Sequence, residues 1–259
     1  MSRLPRVLLT NDDGIEASGL YSLWESLADI AQVSIVAPEQ EQSSTSLAIT
    51  VRSPLHVRKK SWCNEQTEAW SVSGTPADCI KMALSTLLKE RPHFVVSGIN
   101  RGSNAGRNVL YSGTVAGAIE SILQGIPSLA VSCVDYHSPD YHSTKEHLIT
   151  LVRYFFQYPP PEGTLMNVNF PSKARGVRGL RLARQGKSFW KENPEKREHP
   201  EGAVYYWLGA KEVVFQEDED SDIYLLDQGY ATVVPIHVNE LTDNKLFEER
   251  RESFKQFFY

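Results

Sequence analysis

Two adjacent aspartates near the amino terminus pose the first chemical question of this sequence. Asp12 and Asp13 lie in the segment NDDG (11–14), directly after the apolar run VLLT (7–10). Such a run is typical of a strand buried in a parallel sheet. Two carboxylates at its end repel each other, and a divalent cation bound between them would remove that repulsion.

Polar residues follow two further apolar runs of the same kind. Ser43 comes after the run VSIVAP (33–38), and Asn100 comes directly after HFVVSGI (93–99). Ligands of open α/β sheets collect beyond the carboxyl ends of the strands, where such loops meet. Carboxylate, amide and hydroxyl oxygens together form a hard donor set, which suits Mg²⁺ or Mn²⁺ better than zinc.

A third segment, SGTVAGAIESIL (112–123), indicates a helix that begins at this predicted edge. The amino end of a helix offers free backbone N–H groups and the positive end of its dipole, and both favour a phosphate. Gly113 has no side chain and lets an anion approach the backbone closely. A divalent cation beside a phosphate site is the equipment of metal-assisted phosphoester hydrolysis.

Each of these features also has an ordinary structural explanation. Asp-Asp-Gly is common in turns, Ser112 or Thr114 is a suitable helix cap, and the glycines of RGSNAG (101–106) indicate a flexible turn. It is their placement after successive predicted strands that favours a shared site.

Alternating strand and helix patterns predict the scaffold that brings these loops together. Buried strands are predicted at 7–10, 33–38, 93–99, 128–133, 165–171 and 230–238. Helices are predicted at 20–30, 74–89, 112–123, 147–157 and 244–259. This order predicts an α/β fold in which a mostly parallel sheet carries helices on both faces.

Three segments do not belong to this alternation. Residues 47–74 alternate apolar and polar side chains around a polar turn, which predicts an inserted β-hairpin. Residues 181–206 are too polar to form much core, so we expect an arm that packs on something else. The acidic run QEDEDSD (216–222) indicates a solvated turn rather than a metal site.

Bulk properties set the broad class. A length of 259 residues suffices for one large domain with its own core. A net charge of −5 gives no reason to expect binding to duplex nucleic acid or to a membrane. Three cysteines without paired spacing predict neither disulfides nor a zinc site and favour a reducing compartment. We therefore expect a cytoplasmic enzyme or binding protein.

Five motifs, in order along the chain, resemble those of one known family. They are LLTNDDGIEASGL, VAPEQEQSSTSLAIT, SVSGTPADCIKMAL, VVSGINRGSNAGRNVLYSGTVAGAIES and GYATVVPIHVNELTD. Together they resemble the SurE family, the survival protein E nucleotidases. The resemblance covers essentially the whole chain and is strongest over residues 6–125.

The resemblance implies a metal-dependent phosphatase that acts on nucleoside 5′- and 3′-monophosphates, with some activity on short polyphosphate. It implies one divalent cation per subunit, Mg²⁺ or Mn²⁺, with the ligands Asp12, Asp13, Ser43 and Asn100. It further implies catalytic roles for Asp12, Asp13 and Asn100. The phosphate site that it implies consists of Asn104, Ser112, Gly113 and Thr114, with Asn11 contacting the phosphate or orienting the carboxylates.

The family fold implies a Rossmann-like sheet with a protruding hairpin and a carboxyl-terminal arm exchanged between subunits. We therefore expect one domain over residues 1–259 that assembles into a homodimer or homotetramer. Its expected parts are a core (1–180), an oligomerisation arm (181–225) and a terminal strand and helix (226–259). His237 is expected to serve the subunit contact rather than catalysis.

One departure from the family pattern lies within the fourth of these five motifs. Many members have an acidic residue where this chain has Arg107 and Asn108. The extra positive charge near the phosphate loop is expected to change substrate preference rather than metal binding.

Two other functions and one other mechanism remain open. A regulator could hold a nucleotide in the same pocket without hydrolysing it. A dinucleotide-dependent oxidoreductase is disfavoured, because the first predicted strand–helix turn lacks G-x-G-x-x-G. Within hydrolysis, attack by water competes with a covalent aspartyl-phosphate. We favour water, since the adjacent pair Asp12 and Asp13 does not match the Asp-x-Asp spacing of haloacid-dehalogenase phosphatases.

Overall fold

A large β-sheet carries the predicted loops. The computed structural model describes residues 4–258, apart from the side chain of residue 210. The strands are β1 (Arg6–Thr10), β2 (Gln32–Pro38), β3 (Val57–Lys60), β4 (Glu68–Val72), β5 (Phe94–Arg101), β6 (Ser128–Cys133), β7 (Thr164–Phe170), β8 (Leu180–Leu182), β9 (Phe189–Glu192), β10 (Glu195–Glu198), β11 (Val204–Trp207), β12 (Ala210–Val213) and β13 (Ala231–His237). The α-helices are α1 (Ser18–Leu27), α2 (Pro76–Met82), α3 (Gly113–Leu123), α4 (Lys145–Gln157), α5 (Asp222–Asp227) and α6 (Asn244–Phe258).

Nine of these strands form one sheet in the order β3-β4-β2-β1-β5-β6-β7-β13-β8. From β4 to β7 all neighbouring strands run parallel. Antiparallel pairs occur only towards the edges of this sheet, where β3 joins β4 and β13 joins β7. The predicted α/β fold with a mostly parallel sheet is confirmed.

Helices cover both faces of the sheet. Successive side chains of a strand point to opposite faces. Val7 and Leu9 of β1 accordingly lie in the apolar cluster that includes α1 and α4, whereas Leu8 lies in the cluster that includes α2. Helix α3 packs against α2 and against β5 and β6. The result is the three-layer α/β/α arrangement.

Helix α2 begins at the predicted cap. The Thr75 hydroxyl accepts a hydrogen bond from the backbone N–H of Asp78 at 3.2 Å, and the Asp78 carboxylate accepts one from the Thr75 N–H at 3.0 Å. This is a capping box. The sequence predicted one helix up to residue 89, but the α-helix ends at Met82 and continues as a π-helical turn over Ala83–Leu87.

The predicted hairpin at 47–74 is shorter than expected and belongs to the main sheet. β3 and β4 form the antiparallel pair, and β4 lies parallel beside β2. Residues 47–56 form neither strand nor helix. Alternation of apolar and polar residues indicates two paired strands, but it carries no information about which further strand will lie beside them.

Residues 189–213 form an arm outside the main sheet. β9 pairs antiparallel with β12, and β10 pairs antiparallel with β11. The exposed apolar side chains of the arm include Trp190, Tyr206, Trp207 and Leu208. The arm therefore has little core of its own, as the sequence predicts. The segment predicted as an arm began at residue 181, however, and there Leu180–Leu182 joins the main sheet as β8.

Helix α6 buries none of its residues against the other parts of residues 4–258. Exchange of the arm or of α6 between subunits, and the division of the chain at residues 180 and 225, stay predictions. Neither α6, with its 15 residues, nor any other helix within residues 4–258 combines the length and the apolar composition that a membrane span requires.

The acidic run 216–222 is solvated, as the sequence predicted, at Gln216 and at residues 218–220, which are exposed, but not throughout. Asp222 is fully buried and begins α5, and the preceding Ser221 is buried as well. Glu217 accepts a hydrogen bond from the backbone N–H of Ser188 at 2.8 Å. The prediction was wrong for Glu217 and Asp222, because backbone N–H groups from a distant part of the chain stabilise these two carboxylates.

Candidate active site

The loops that follow β1, β2 and β5 meet at one edge of the sheet, beside the amino end of α3. The backbone N–H of Gln42 donates to the carbonyl oxygen of Asp12 at 2.7 Å. The backbone N–H of Arg101 donates to a carboxylate oxygen of Asp13 at 3.3 Å. A β-carbon added to Gly113 would lie 2.8 Å from the Asp12 carboxylate. All four predicted segments therefore contribute to one site.

Asn11 shapes the loop that carries the two aspartates. Its side chain is fully buried. The Asn11 amide nitrogen donates to the carbonyl oxygen of Gly14 at 2.9 Å, and the N–H of Gly14 donates to the Asn11 amide oxygen at 3.2 Å. Both polar atoms are thus engaged in closing the turn, which orients the residues between them. The structure gives Asn11 this local role, and a contact with phosphate stays a prediction.

Asp12 lies in a confined position at the amino end of α3. Its side chain is only 4% exposed, and the hydroxyl of Thr114 donates a hydrogen bond to its Oδ1. Burial raises the pKa of Asp12 to about 6, with the Thr114 hydrogen bond opposing the shift and the charge of Asp13 adding to it. The charged form of Asp12 is therefore poorly stabilised by the protein alone, and a bound cation would stabilise it.

Asp13 has a counter-ion that the sequence analysis did not identify. Arg101 contacts Asp13 twice, since its Nε lies 3.2 Å from Oδ1 and its backbone N–H 3.3 Å from Oδ2. Burial raises the pKa of Asp13, and both hydrogen bonds from Arg101 oppose that shift. The one signal in the sequence was the position of Arg101 directly after the candidate ligand Asn100.

Ser43 is connected to the same arginine through a glutamate. A terminal nitrogen of Arg101 lies 2.6 Å from Oε2 of Glu41, and the hydroxyl of Ser43 donates to Oε1 of Glu41 at 2.6 Å. Ser43 itself is exposed. The Ser43 side chain is therefore directed at another protein group, Glu41.

Asn100 presents an oxygen at this edge. Its amide nitrogen donates to the carbonyl oxygen of Gly102 at 2.9 Å. Within residues 4–258 no hydrogen-bond donor contacts its amide oxygen. The hydrogen bond to Gly102 fixes which end of the amide faces the loop, so the oxygen is the end left free for another partner.

Asn104 anchors the loop between β5 and α3. Its side-chain nitrogen donates to the Ser132 hydroxyl at 2.7 Å, and its backbone N–H donates to the amide oxygen of Asn169 at 2.9 Å. Asn167 donates in turn to the carbonyl oxygen of Asn104 at 2.9 Å. Asn167 and Asn169 are residues that sequence reasoning missed. Two buried asparagines alternating in a strand were the available signal.

The amino end of α3 adjoins the carboxylates. The Ser112 hydroxyl accepts a hydrogen bond from the N–H of Val115 at 3.1 Å. Ser112 is therefore the helix cap, and Thr114 instead contacts Asp12. Gly113 lies against Asp12 so closely that a side chain would not fit. Of the predicted phosphate residues, Ser112, Gly113 and Thr114 thus lie directly at the aspartate site, whereas the Asn104 side chain is bonded away from it.

The donor set at this edge fits a hard divalent cation. Within residues 4–258 no group of three His, Cys, Asp or Glu side chains is arranged to hold a metal ion. A cation at Asp12 and Asp13 would therefore take its further ligands from neutral oxygens. Asn100 offers such an oxygen, and Ser43 offers a second once its hydroxyl turns from Glu41. Few carboxylates with neutral oxygens and water are typical of Mg²⁺ sites.

Comparison with known proteins identifies the family. A family model described as Survival protein SurE matches residues 7–192. The chain belongs to the SurE family. A protein of Protochlamydia amoebophila named 5′-nucleotidase SurE is 52% identical in an alignment of 259 positions that covers 99% of this chain and 99% of its own. One of Heliobacterium modesticaldum with the same name is 41% identical and covers 94% of this chain and 90% of its own.

A solved SurE structure has the same fold. The crystal structure of the SurE protein from Aquifex aeolicus superposes with a TM-score of 0.82 at 32% identity, covering 96% of this chain and 100% of that one.

Two further residues that the sequence singled out, Arg107 and His237, have partners other than the two aspartates in the present SurE chain. The guanidinium of Arg107 lies over the ring of Phe215 at 5.7 Å, and His237 contacts the Thr164 hydroxyl at 3.1 Å.

Proposed function

We propose that this protein is a metal-dependent 5′-nucleotidase that hydrolyses nucleoside monophosphates to nucleoside and phosphate. The observation that carries this proposal is the position of Asp12, buried beside Asp13 at the amino end of α3. The names of its SurE relatives support the same activity. The proposal extends to 3′-monophosphates and short polyphosphate as further substrates, to one Mg²⁺ or Mn²⁺ per subunit, and to a homodimer or homotetramer in the cytoplasm.

The residues of the site have distinct roles in this mechanism. Asp12, Asp13 and Asn100 would hold the cation, with Ser43 as a further oxygen ligand. When bound, a divalent cation supplies charge neutralisation at the phosphate and a water molecule of lowered pKa. The amino end of α3 faces the same place, where its N–H groups and dipole stabilise the phosphate oxygens as charge develops on them.

Proton transfer also falls to the aspartates. One of them, Asp12 or Asp13, orients the attacking water and accepts its proton. We favour direct attack by water over a covalent aspartyl-phosphate, since Asp12 is confined between Thr114 and Gly113 and has little room for an in-line approach to phosphorus. Trapping of a phosphorylated aspartate from labelled substrate would overturn this preference.

Removal of the cation is expected to abolish the activity. Phosphate release should be measured from a panel of nucleoside 5′- and 3′-monophosphates with Mg²⁺, with Mn²⁺ and with EDTA. We expect release with either cation and background rates with EDTA, because the protein itself offers little positive charge to balance Asp12 and the phosphate. Restoration of activity by added Mn²⁺ is the control against damage by the chelator.

The same assay distinguishes a nucleotidase from the rival function, a nucleotide-binding regulator. A nucleotide-binding regulator would bind the monophosphates, as measured by calorimetry, and release no phosphate under any of these conditions. Release that persists in EDTA would contradict the metal dependence while leaving a nucleotidase in place.

Arg101→Ala is expected to make the stability of the protein depend more strongly on the cation. The variant leaves Asp13 without its guanidinium partner, which should lower the free energy of unfolding of the metal-free protein by about 1 kcal/mol, since Arg101 is partly exposed. Added Mg²⁺ should then raise the melting temperature by more than it does in the native protein. Arg58→Ala, which removes an exposed partner of Glu39, is the matched control. An equal response to Mg²⁺ in all three proteins would contradict the assignment.

A further inference from the structure

A fully buried carboxylate outside the aspartate site joins two distant segments of the chain. Asp222 accepts hydrogen bonds from the backbone N–H of Gly106 at 3.0 Å and from that of Gly186 at 2.8 Å. It also accepts one from the side-chain nitrogen of Gln185 at 3.0 Å and one from the N–H of Ile223 at 2.8 Å. A buried carboxylate is tolerated only when such donors stabilise it, and here each oxygen has two.

The loop before α3 is bonded to the base of the arm at successive residues. The side chain of Gln185 donates to the carbonyl oxygen of Gly106 as well as to Asp222. The N–H of Arg107 donates to the carbonyl oxygen of Ser188 at 3.0 Å. The N–H of Trp190 donates to the side-chain oxygen of Asn108 at 2.9 Å. Residues 106–108 are thus held along their length by the arm base, which we define as residues 185–190.

The fit between the two segments leaves no space for a side chain at Gly106. Its φ of +59° is unfavourable for other residues, and an added β-carbon would lie 2.2 Å from the carbonyl oxygen of Ser188. A second carboxylate fixes the arm base itself, because Glu217 accepts from the N–H groups of Lys187 and Ser188 at 3.0 and 2.8 Å. The contact is therefore rigid on both sides.

This contact lies one short turn away from the phosphate site. Residues Gly106–Tyr111 form a 3₁₀-helical turn, and the next residue is the cap of α3, Ser112. Gly113 then packs on Asp12. The amino end of α3 is therefore fixed from two directions, by Asp12 on one side and by the turn anchored at Asp222 on the other.

From this geometry we infer that Asp222 is a positioning residue for phosphate binding, acting through residues 106–112 and not by contact with the substrate. The inference rests on the proposed function, since it assumes that the phosphate binds at the amino end of α3. It assigns the arm base to the active-site scaffold. The arm then influences substrate binding even though none of the residues of the arm base need touch the substrate.

Asp222→Asn tests this inference. The variant replaces one of the two acceptor oxygens by an NH₂ group. Either Gly106 and Gln185 or Gly186 and Ile223 therefore lose their hydrogen-bond acceptor. We expect the KM for a nucleoside monophosphate and the Kd for inorganic phosphate to rise together by about tenfold, as small displacements of a binding loop do. Mg²⁺ affinity in the absence of phosphate should fall by less than the phosphate affinity, because the four hydrogen bonds of the Asp222 carboxylate involve none of the residues that would hold the cation.

Asp220→Asn is the matched control, since Asp220 lies two residues away in the same acidic run but is exposed and pairs with Arg184 at 2.8 Å. It should leave KM and phosphate affinity unchanged. Gln185→Ala is a milder variant in case Asp222→Asn does not fold, and its expected effect has the same direction and a smaller size. Hydrogen exchange of residues 104–112 should speed up in both positioning variants and not in the control.

The outcomes separate the inference from the proposed function. Folded Asp222→Asn protein, or Gln185→Ala protein in its place, with native KM and native phosphate affinity would overturn the inference. If the native protein releases no phosphate but still binds it, and Asp222→Asn weakens that binding, the proposed function fails and the positioning role stands. If the native protein does not bind phosphate at all, both fail.

Discussion

Asp12→Asn should lower kcat for nucleoside monophosphates by about a thousandfold or more, because it removes one of the two charges that hold the cation. The substitution keeps the shape of the side chain, so the contact with Thr114 and the packing on Gly113 can persist. Initial rates at saturating Mg²⁺ or Mn²⁺ measure the effect. Asp29→Asn, at an exposed aspartate after α1, is the control and should retain native rates. Retention of more than a tenth of the native kcat by Asp12→Asn would contradict the assignment.

The same substitution is expected to stabilise the metal-free protein. The pKa of Asp12 is raised from 3.8 to about 6 in the folded chain, so folding favours its protonated form. The stability that protonation provides is present below pH 4 and is lost as the pH rises through 6. Asn stays neutral at every pH, so the stability advantage of Asp12→Asn over the native protein should grow over that range to about 3 kcal/mol near pH 7.5, since one unit of pKa shift corresponds to about 1.4 kcal/mol. Urea unfolding in EDTA at pH 4.5 and 7.5 measures it, and the opposite trend would contradict a buried, uncompensated Asp12.

Gly113→Ala is expected to lower kcat/KM by about a hundredfold, as displacement of a catalytic group by a fraction of an ångström can. The added β-carbon would lie 2.8 Å from both Cβ and Oδ2 of Asp12 and 3.1 Å from the carbonyl oxygen of Gln42. Either Asp12 or the amino end of α3 must then move, and the proposed site needs both in place. Steady-state kinetics together with Mn²⁺ affinity measure the effect, and we expect both to weaken.

Gly117→Ala is the control for Gly113→Ala, because it lies one turn further along α3. Its added β-carbon would meet Ser97 and Thr10 at 3.1 Å and would not contact Asp12. We expect a small change in stability and near-native kinetics. Native kinetics of Gly113→Ala would show that Asp12 and α3 are not held against each other during the reaction.

Strands, helices and the edge at which they place their loops could be predicted from the sequence, because periodic burial is a local pattern. The run 7–10 and the run 128–133 are mostly apolar, and both are central parallel strands in the structure. From these strands the position of Asp12 and Asp13 follows, since a residue that ends a parallel strand lies at the carboxyl edge. The sequence predicted either Ser112 or Thr114 as the cap of α3. Only the structure distinguishes them, since Ser112 caps the helix and Thr114 contacts Asp12.

Contacts between residues far apart in the chain could not be predicted in the same way. Arg101 is separated from Asp13 by 88 residues and Asp222 from Gly106 by 116. No periodicity in one segment reports on a partner at that separation. The acidic run around Asp222 is an example, because such runs are usually solvated and nothing in the run itself indicates the distant donors that stabilise this carboxylate. The exposed arm and α6 likewise leave the subunit partner undefined, since their apolar residues face no part of residues 4–258 that covers them.

Asp12 and Asp13 are expected to hold a divalent cation. Mn²⁺ binding followed by electron paramagnetic resonance tests this expectation without substrate or turnover. Native protein, Asp12→Asn and Asp29→Asn would each be titrated with Mn²⁺ at pH 7.5. We expect one bound Mn²⁺ per chain in the native protein and in Asp29→Asn. In Asp12→Asn the affinity for Mn²⁺ should be at least about tenfold weaker, as expected for loss of a charged ligand. Equal Mn²⁺ affinity in all three proteins, or no binding in the native protein, would contradict it.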